Sequence, residues 1–66
     1  MRKIAAHFVE LPGGDILRQA VVEIEGSTVV RWYAFTEEQP MTEWLCGTIV
    51  VTPERLAVHD GKVITE

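Results

Sequence analysis

The most reactive side chains of this chain are Cys46, His7 and His59, and their spacing decides what chemistry they could share. A lone cysteine becomes a nucleophile when a neighbouring base lowers its pKa, and either histidine is the right type for that base. Cys46 stands in Trp44-Leu45-Cys46-Gly47, however, and a free cysteine among large apolar residues is expected as a small buried hydrophobe. A metal site drawn from Cys46, His7, His59 and a carboxylate such as Asp60 lacks the C-x-x-C or H-x-x-x-H spacing that brings two ligands to one ion. Gly13-Gly14 has the composition of a phosphate-cradling loop, but it separates two apolar runs with strand character and offers no helix N-terminus to an anion. No catalytic residue, metal ligand or cofactor site is expected, and the chain reads as non-enzymatic.

The remaining chemistry lies in acids and aromatics. Glu37, Glu38 and Glu43 gather around Pro40, where they suit a solvated loop, with a cation or basic partner as the alternative. Trp32, Tyr33 and Phe35 could stack nucleic-acid bases, but the net charge of −4 opposes a phosphate backbone, and the six bases are scattered along the chain. No nucleic-acid partner is expected, and burial in a core or at a dimer seam explains these aromatics more simply. A second arrangement places Trp32, Tyr33, Trp44 and Cys46 around a small-ligand pocket or minimal active site. The candidate interface or pocket residues are therefore Trp32, Tyr33, Phe35, Trp44 and Cys46.

The elements that must position them are strands. Pro12-Gly13-Gly14-Asp15 is a turn signal between two strands, because Gly supplies positive φ and Pro pre-sets its own. The first covers about residues 3–11, with Ile4, Ala6 and Phe8 expected on one face and Ala5, His7 and Val9 on the other. In the second, about 16–25, Ala20, Val22 and Ile24 alternate with Val21, Glu23 and Glu25. After Glu25-Gly26-Ser27, the run Thr28 to Phe35 is dense in β-branched and aromatic residues, with Val30, Trp32 and Ala34 expected to face away from Val29, Tyr33 and Phe35. Thr36-Glu37-Glu38-Gln39 has capping-box spacing, though Pro40 limits any helix to a turn. Met41 to Leu45 reads as a further short turn that tucks Trp44 and Leu45 under the sheet, and Thr48 to Thr52 as a strand closed by Pro53. Asp60-Gly61 predicts a type I′ hairpin between Arg55–His59 and Lys62–Thr65. The sum is one all-β domain over 1–66, a small sandwich or partly open barrel of five to six short strands with at most one helical turn around 36–45.

Ile4 to Val9, then Pro12 to Leu17, then Ala20 to Val30, together with Thr42 to Pro53, resemble the small N-terminal β-sandwich (composite) domain of amidohydrolases, the metal-dependent hydrolases. The resemblance spans roughly residues 3–53 and implies a shared β scaffold. In that family a Pro-Gly leads to the first strand of a catalytic barrel, which ends in a His-x-His metal pair. Here Glu54 follows Pro53 and no His-x-His occurs, so no catalytic residue is carried over.

A chain of 66 residues buries only about 60% of its unfolded surface and commonly leans on a disulfide, a metal or a partner. With one cysteine and no ligand spacing, association remains, and 47% hydrophobic residues with a mean hydropathy of +0.11 give it material. A homodimer is expected, by strand addition at an open edge or by packing of the aromatic face, with docking onto another protein or a larger enzyme as an alternative. Met1-Arg2-Lys3 starts like a signal peptide but continues too short and too polar, and no run of eighteen apolar residues suggests a membrane span. A cytoplasmic location is the default expectation.

Overall fold

A computed structural model describes residues 1–37 and 39–66, so Glu38 of the capping-box pattern and of the acidic loop lies outside the described residues. Six strands follow one another: β1 (Arg2–Glu10), β2 (Ile16–Glu25), β3 (Thr28–Ala34), β4 (Glu43–Val51), β5 (Ala57–His59) and β6 (Lys62–Ile64). They form one sheet in the order β3-β2-β1-β4-β5-β6, strongly curled into a half-barrel, which is the partly open barrel rather than two stacked layers. Among the described residues there is no helix, and hence none long and apolar enough to cross a membrane.

Four of the five connections join antiparallel neighbours, and in three of them the turn residues dictate the hairpin. At β5/β6, Asp60 and Gly61 both have positive φ, 52° and 76°, as a type I′ turn requires. Between β2 and β3 only Gly26 of the two loop residues has positive φ, the pattern of a type II′ turn. The Pro12-to-Asp15 turn is held by Leu11 N–H to Asp15 O at 2.7 Å and Gly14 N–H to Leu11 O at 3.0 Å.

The connection that is not a hairpin shapes the domain. β4 runs parallel to β1, so the chain leaving β3 must cross β2 and β1 before re-entering the sheet. The crossing is described over residues 35–37 and 39–42. The strand they lead into starts at Glu43, so Trp44 and Leu45 belong to β4 and do not form the separate short turn expected from sequence. Leu45 packs on the core as expected, while Trp44, adjacent along the strand, faces the opposite side and is 47% exposed.

Strict alternation also fails at two places, each where a β-bulge puts an extra residue on one strand of a ladder, disrupts the local pairing and bends the sheet. The β1/β4 register slips between Ala6 and Phe8, where Gly47 of β4 has φ +91°. Gln19, at φ +50°, lies in the same gap between the paired rows Ala6/Ala20 and Phe8/Arg18. This crease turns Val9 inward beside Ile4 and Ala6 and leaves Phe8 39% exposed, the reverse of the expected faces for these two residues. In β3 the register shifts between the Glu23 and Ile24 partners, so Val29 and Trp32 both face the core and Val30 is exposed.

The core is the inner side of the curl. Ile4, Val9, Val22, Ile24, Val29 and Ile49 are fully buried, with Ala6, Ala20, Val51 and Ala57 between them. The curl is fastened where its ends approach: Val29 N–H donates to Arg55 O at 2.7 Å, and the Arg55 guanidinium lies 5.7 Å over the Trp32 ring. Glu66 N–H donates to Gly26 O at 2.6 Å, Arg2 Nη1 to Thr65 O at 2.6 Å, and Arg2 Nε to Glu43 Oε2 at 2.5 Å. The accessible area of 4236 Å² matches the roughly 4200 Å² that surface scaling gives for a compact 7.4 kDa monomer. Any case for a partner therefore rests on which side chains are exposed, not on excess area.

Candidate functional site

Cross-strand partners share a face, so the register defines the outer face row by row. Tyr33, Val21, Ala5 and Trp44 form one row across β3, β2, β1 and β4. Ala5 and Val21 are the small residues of that row and are nearly or wholly buried, although they lie on the side away from the core. They floor a cluster in which Trp44 packs edge-on to His7, centroids 4.9 Å apart, and to Phe35 at 6.3 Å. The crossing segment leaves a cavity of about 340 Å³ over this floor, lined by Ala5, Gln19, Phe35, Thr42 and Trp44 among others.

The expected site residues are thereby separated. Tyr33, Phe35 and Trp44 belong to the outer side, whereas Trp32 faces the core under Arg55, so Trp32 and Trp44 do not share a cavity. Cys46 is exposed at the crease and not buried among apolar neighbours as expected. The ring Nε2 of His59 donates to the Cys46 carbonyl at 2.7 Å, and its Nδ1 lies 3.8 Å from Asp60 Oδ2. Both ring nitrogens thus face other groups than the thiol, and the geometry is not that of a nucleophile with its base. Among the described residues no group of three or more His, Cys, Asp or Glu is placed to hold a metal ion.

One charged group of this face is almost enclosed. Glu23 lies in the row Arg31–Glu23–Lys3, and its side chain is only 4% exposed beneath the Arg31 guanidinium, which donates from Nη2 at 2.7 Å. Arg31 holds the carboxyl below the usual carboxylate range, burial opposes it, and the Tyr33 hydroxyl assists. Because the folded pKa is depressed, the stabilisation is complete above the unfolded value of about 4.5 and is lost as pH falls through the folded value. Glu43 beside Arg2 and Glu66 beside the Met1 amine act in the same direction. Urea midpoints measured between pH 7 and 2.5 are expected to fall with pH, less so in Glu23→Gln. An equal fall in the variant would show that Glu23 contributes nothing to the slope.

Beyond the crease the outer face has a second depression that the sequence reading missed. Phe8, Glu10, Ile16, Arg18 and Thr48 line an open groove of about 480 Å³. Arg18 lies 6.0 Å over the Phe8 ring, and Ile16 is 58% exposed. Val50, the register partner of Glu10, extends the apolar strip. The available signal was Gly47, a glycine inside an apolar strand, which marks a bulge and hence a register shift against the neighbouring strand. No family model, curated protein or solved structure matches this chain.

Proposed function

We propose that this domain is a non-catalytic interaction module that self-associates through its outer face. The observation that supports the reading best is the strip of Phe8, Ile16 and Val50, three large apolar side chains on neighbouring strands exposed together on a domain whose core is already closed. The resemblance of residues 3–53 to the small β domain of amidohydrolases agrees with a scaffold role, since in that family the metal ligands belong to a separate barrel. The Cys46 and His59 geometry gives no catalytic alternative of comparable support.

The outer face of a half-barrel is convex, so two copies meet over a limited area. The association is expected to be weak, at the low end of interface sizes, below about 1,200 Å² in total. Sedimentation velocity from about 10 μM to about 1 mM is the test, read against the mass of 7.4 kDa. A rise towards twice that mass in wild type, abolished by Ile16→Lys with an unchanged far-UV spectrum, is expected. A monomer across the whole range contradicts the reading.

A further inference from the structure

The groove beyond the crease carries a regular pattern of charged and apolar side chains. Phe8 pairs with Arg18 and Glu10 with Ile16 across β1 and β2, and all four line one groove on the outer face. They occupy the corners of a rectangle in which the apolar residues lie on one diagonal and the opposite charges on the other. Among the described residues neither Glu10 nor Arg18 has an ion-pair partner, whereas Arg2, Glu23, Arg31, Glu43 and Glu66 all do.

Two copies of a face can be brought together by a two-fold axis lying in the contact plane, and four such axes bring corner near corner: the two mid-lines of the rectangle, which superpose the corners, and its two diagonals, which do so approximately. An axis along the strands sets Phe8 on the partner's Arg18 and Glu10 on the partner's Ile16. One across the strands sets Phe8 on the partner's Glu10 and Arg18 on the partner's Ile16. One along the charged diagonal sets like charges together. Only the axis along the Phe8–Ile16 diagonal stacks apolar on apolar and places Arg18 over the partner's Glu10, twice. We infer that a second copy of this chain docks on the Phe8–Glu10–Ile16–Arg18 rectangle about that diagonal. With strands about 4.8 Å apart and two residues spanning about 6.7 Å, the diagonal lies about 35° from the strands, so the two sheets cross at about 70°. That is close to the orthogonal class of sheet packing.

This inference rests on the self-association proposed above, and charge exchange separates the two. Arg18→Glu faces Glu10 of an identical partner, and Glu10→Arg faces Arg18 of an identical partner. Each variant alone is therefore expected to self-associate at least about tenfold more weakly than wild type, because like charges oppose each other at two symmetric contacts. An equimolar mixture of the two restores both attractive pairs and is expected to regain the wild-type mass in sedimentation, as is the double variant carrying both changes. Far-UV spectra and melting at dilution check that each variant is folded; if one fails, Arg18→Gln and Glu10→Gln, expected to weaken association without repulsion, replace the pair. Wild type that associates while the single variants do so equally well, or a mixture that stays monomeric, overturns this docking geometry and leaves self-association standing. Wild type that never exceeds the monomer mass overturns both.

Discussion

Ile49→Ala is expected to lose a large part of the domain's stability. Ile49 has no exposed surface, pairs with Val9 across the parallel β1/β4 ladder and lies among Ile4, Val22 and Val51 in the core. Truncating a buried isoleucine to alanine costs about 2–5 kcal/mol, from lost transfer energy and the cavity left behind. At 0.05–0.15 kcal/mol per residue the whole domain holds only about 3–10 kcal/mol, so one such loss removes a large part of it. The neighbouring Val50→Ala, at a position 36% exposed on the outer face, is expected to shift stability by about 0.5 kcal/mol or less. Urea titrations of the pair by far-UV circular dichroism read the difference. Equal losses would mean that β4 does not present these two residues to opposite faces.

The second large effect falls on the crease. Gly47 has φ +91°, a conformation that L side chains rarely adopt, and a Cβ placed there would meet nothing within 4 Å. The cost of a side chain is therefore one of backbone strain and not of crowding. Gly47→Val is expected to lose about 1–3 kcal/mol, the range for a residue forced into a sparsely populated backbone region. Gly47→D-Ala, accessible by chemical synthesis at this length, takes a positive φ without strain and is expected to match or exceed the stability of wild type. Equal destabilisation by Val and D-Ala would show that the space around the site, not its φ, is what the glycine serves.

These two positions also mark how far the sequence could be read. Turn chemistry was legible because it is local: Asp60-Gly61 and Gly26-Ser27 state their backbone conformations in two residues, and the hairpins follow. The β2 faces were legible for the same reason, since from Ala20 to Ile24 nothing interrupts the period of two. What alternation could not carry was a change of phase. The crease at His7 and Gln19 reverses the faces beyond it in β1 and β2, and the bulge at Val30 does so in β3, which is why Phe8 and Val9 exchange sides and Trp32 joins Val29 in the core. The parallel β1/β4 pairing was hidden for another reason: it joins residues about forty positions apart, and no local pattern encodes such a partner. The consequence for the site was direct. Aromatic content drew attention to Trp32 and its neighbours, while the groove of Phe8, Glu10, Ile16 and Arg18 exists only because the crease turns Phe8 outward.

The most direct test of the outer face as the seat of association is a dilution series followed by amide NMR of uniformly labelled protein, from about 1 mM to about 20 μM. Concentration-dependent shifts confined to Phe8, Glu10, Ile16, Arg18, Thr48 and Val50, with Trp32 and Ala34 at the free edge of β3 unmoved, are the expected result. Shifts that concentrate on β3 instead would place the contact at the sheet edge, and spectra unchanged over the whole range would contradict self-association itself.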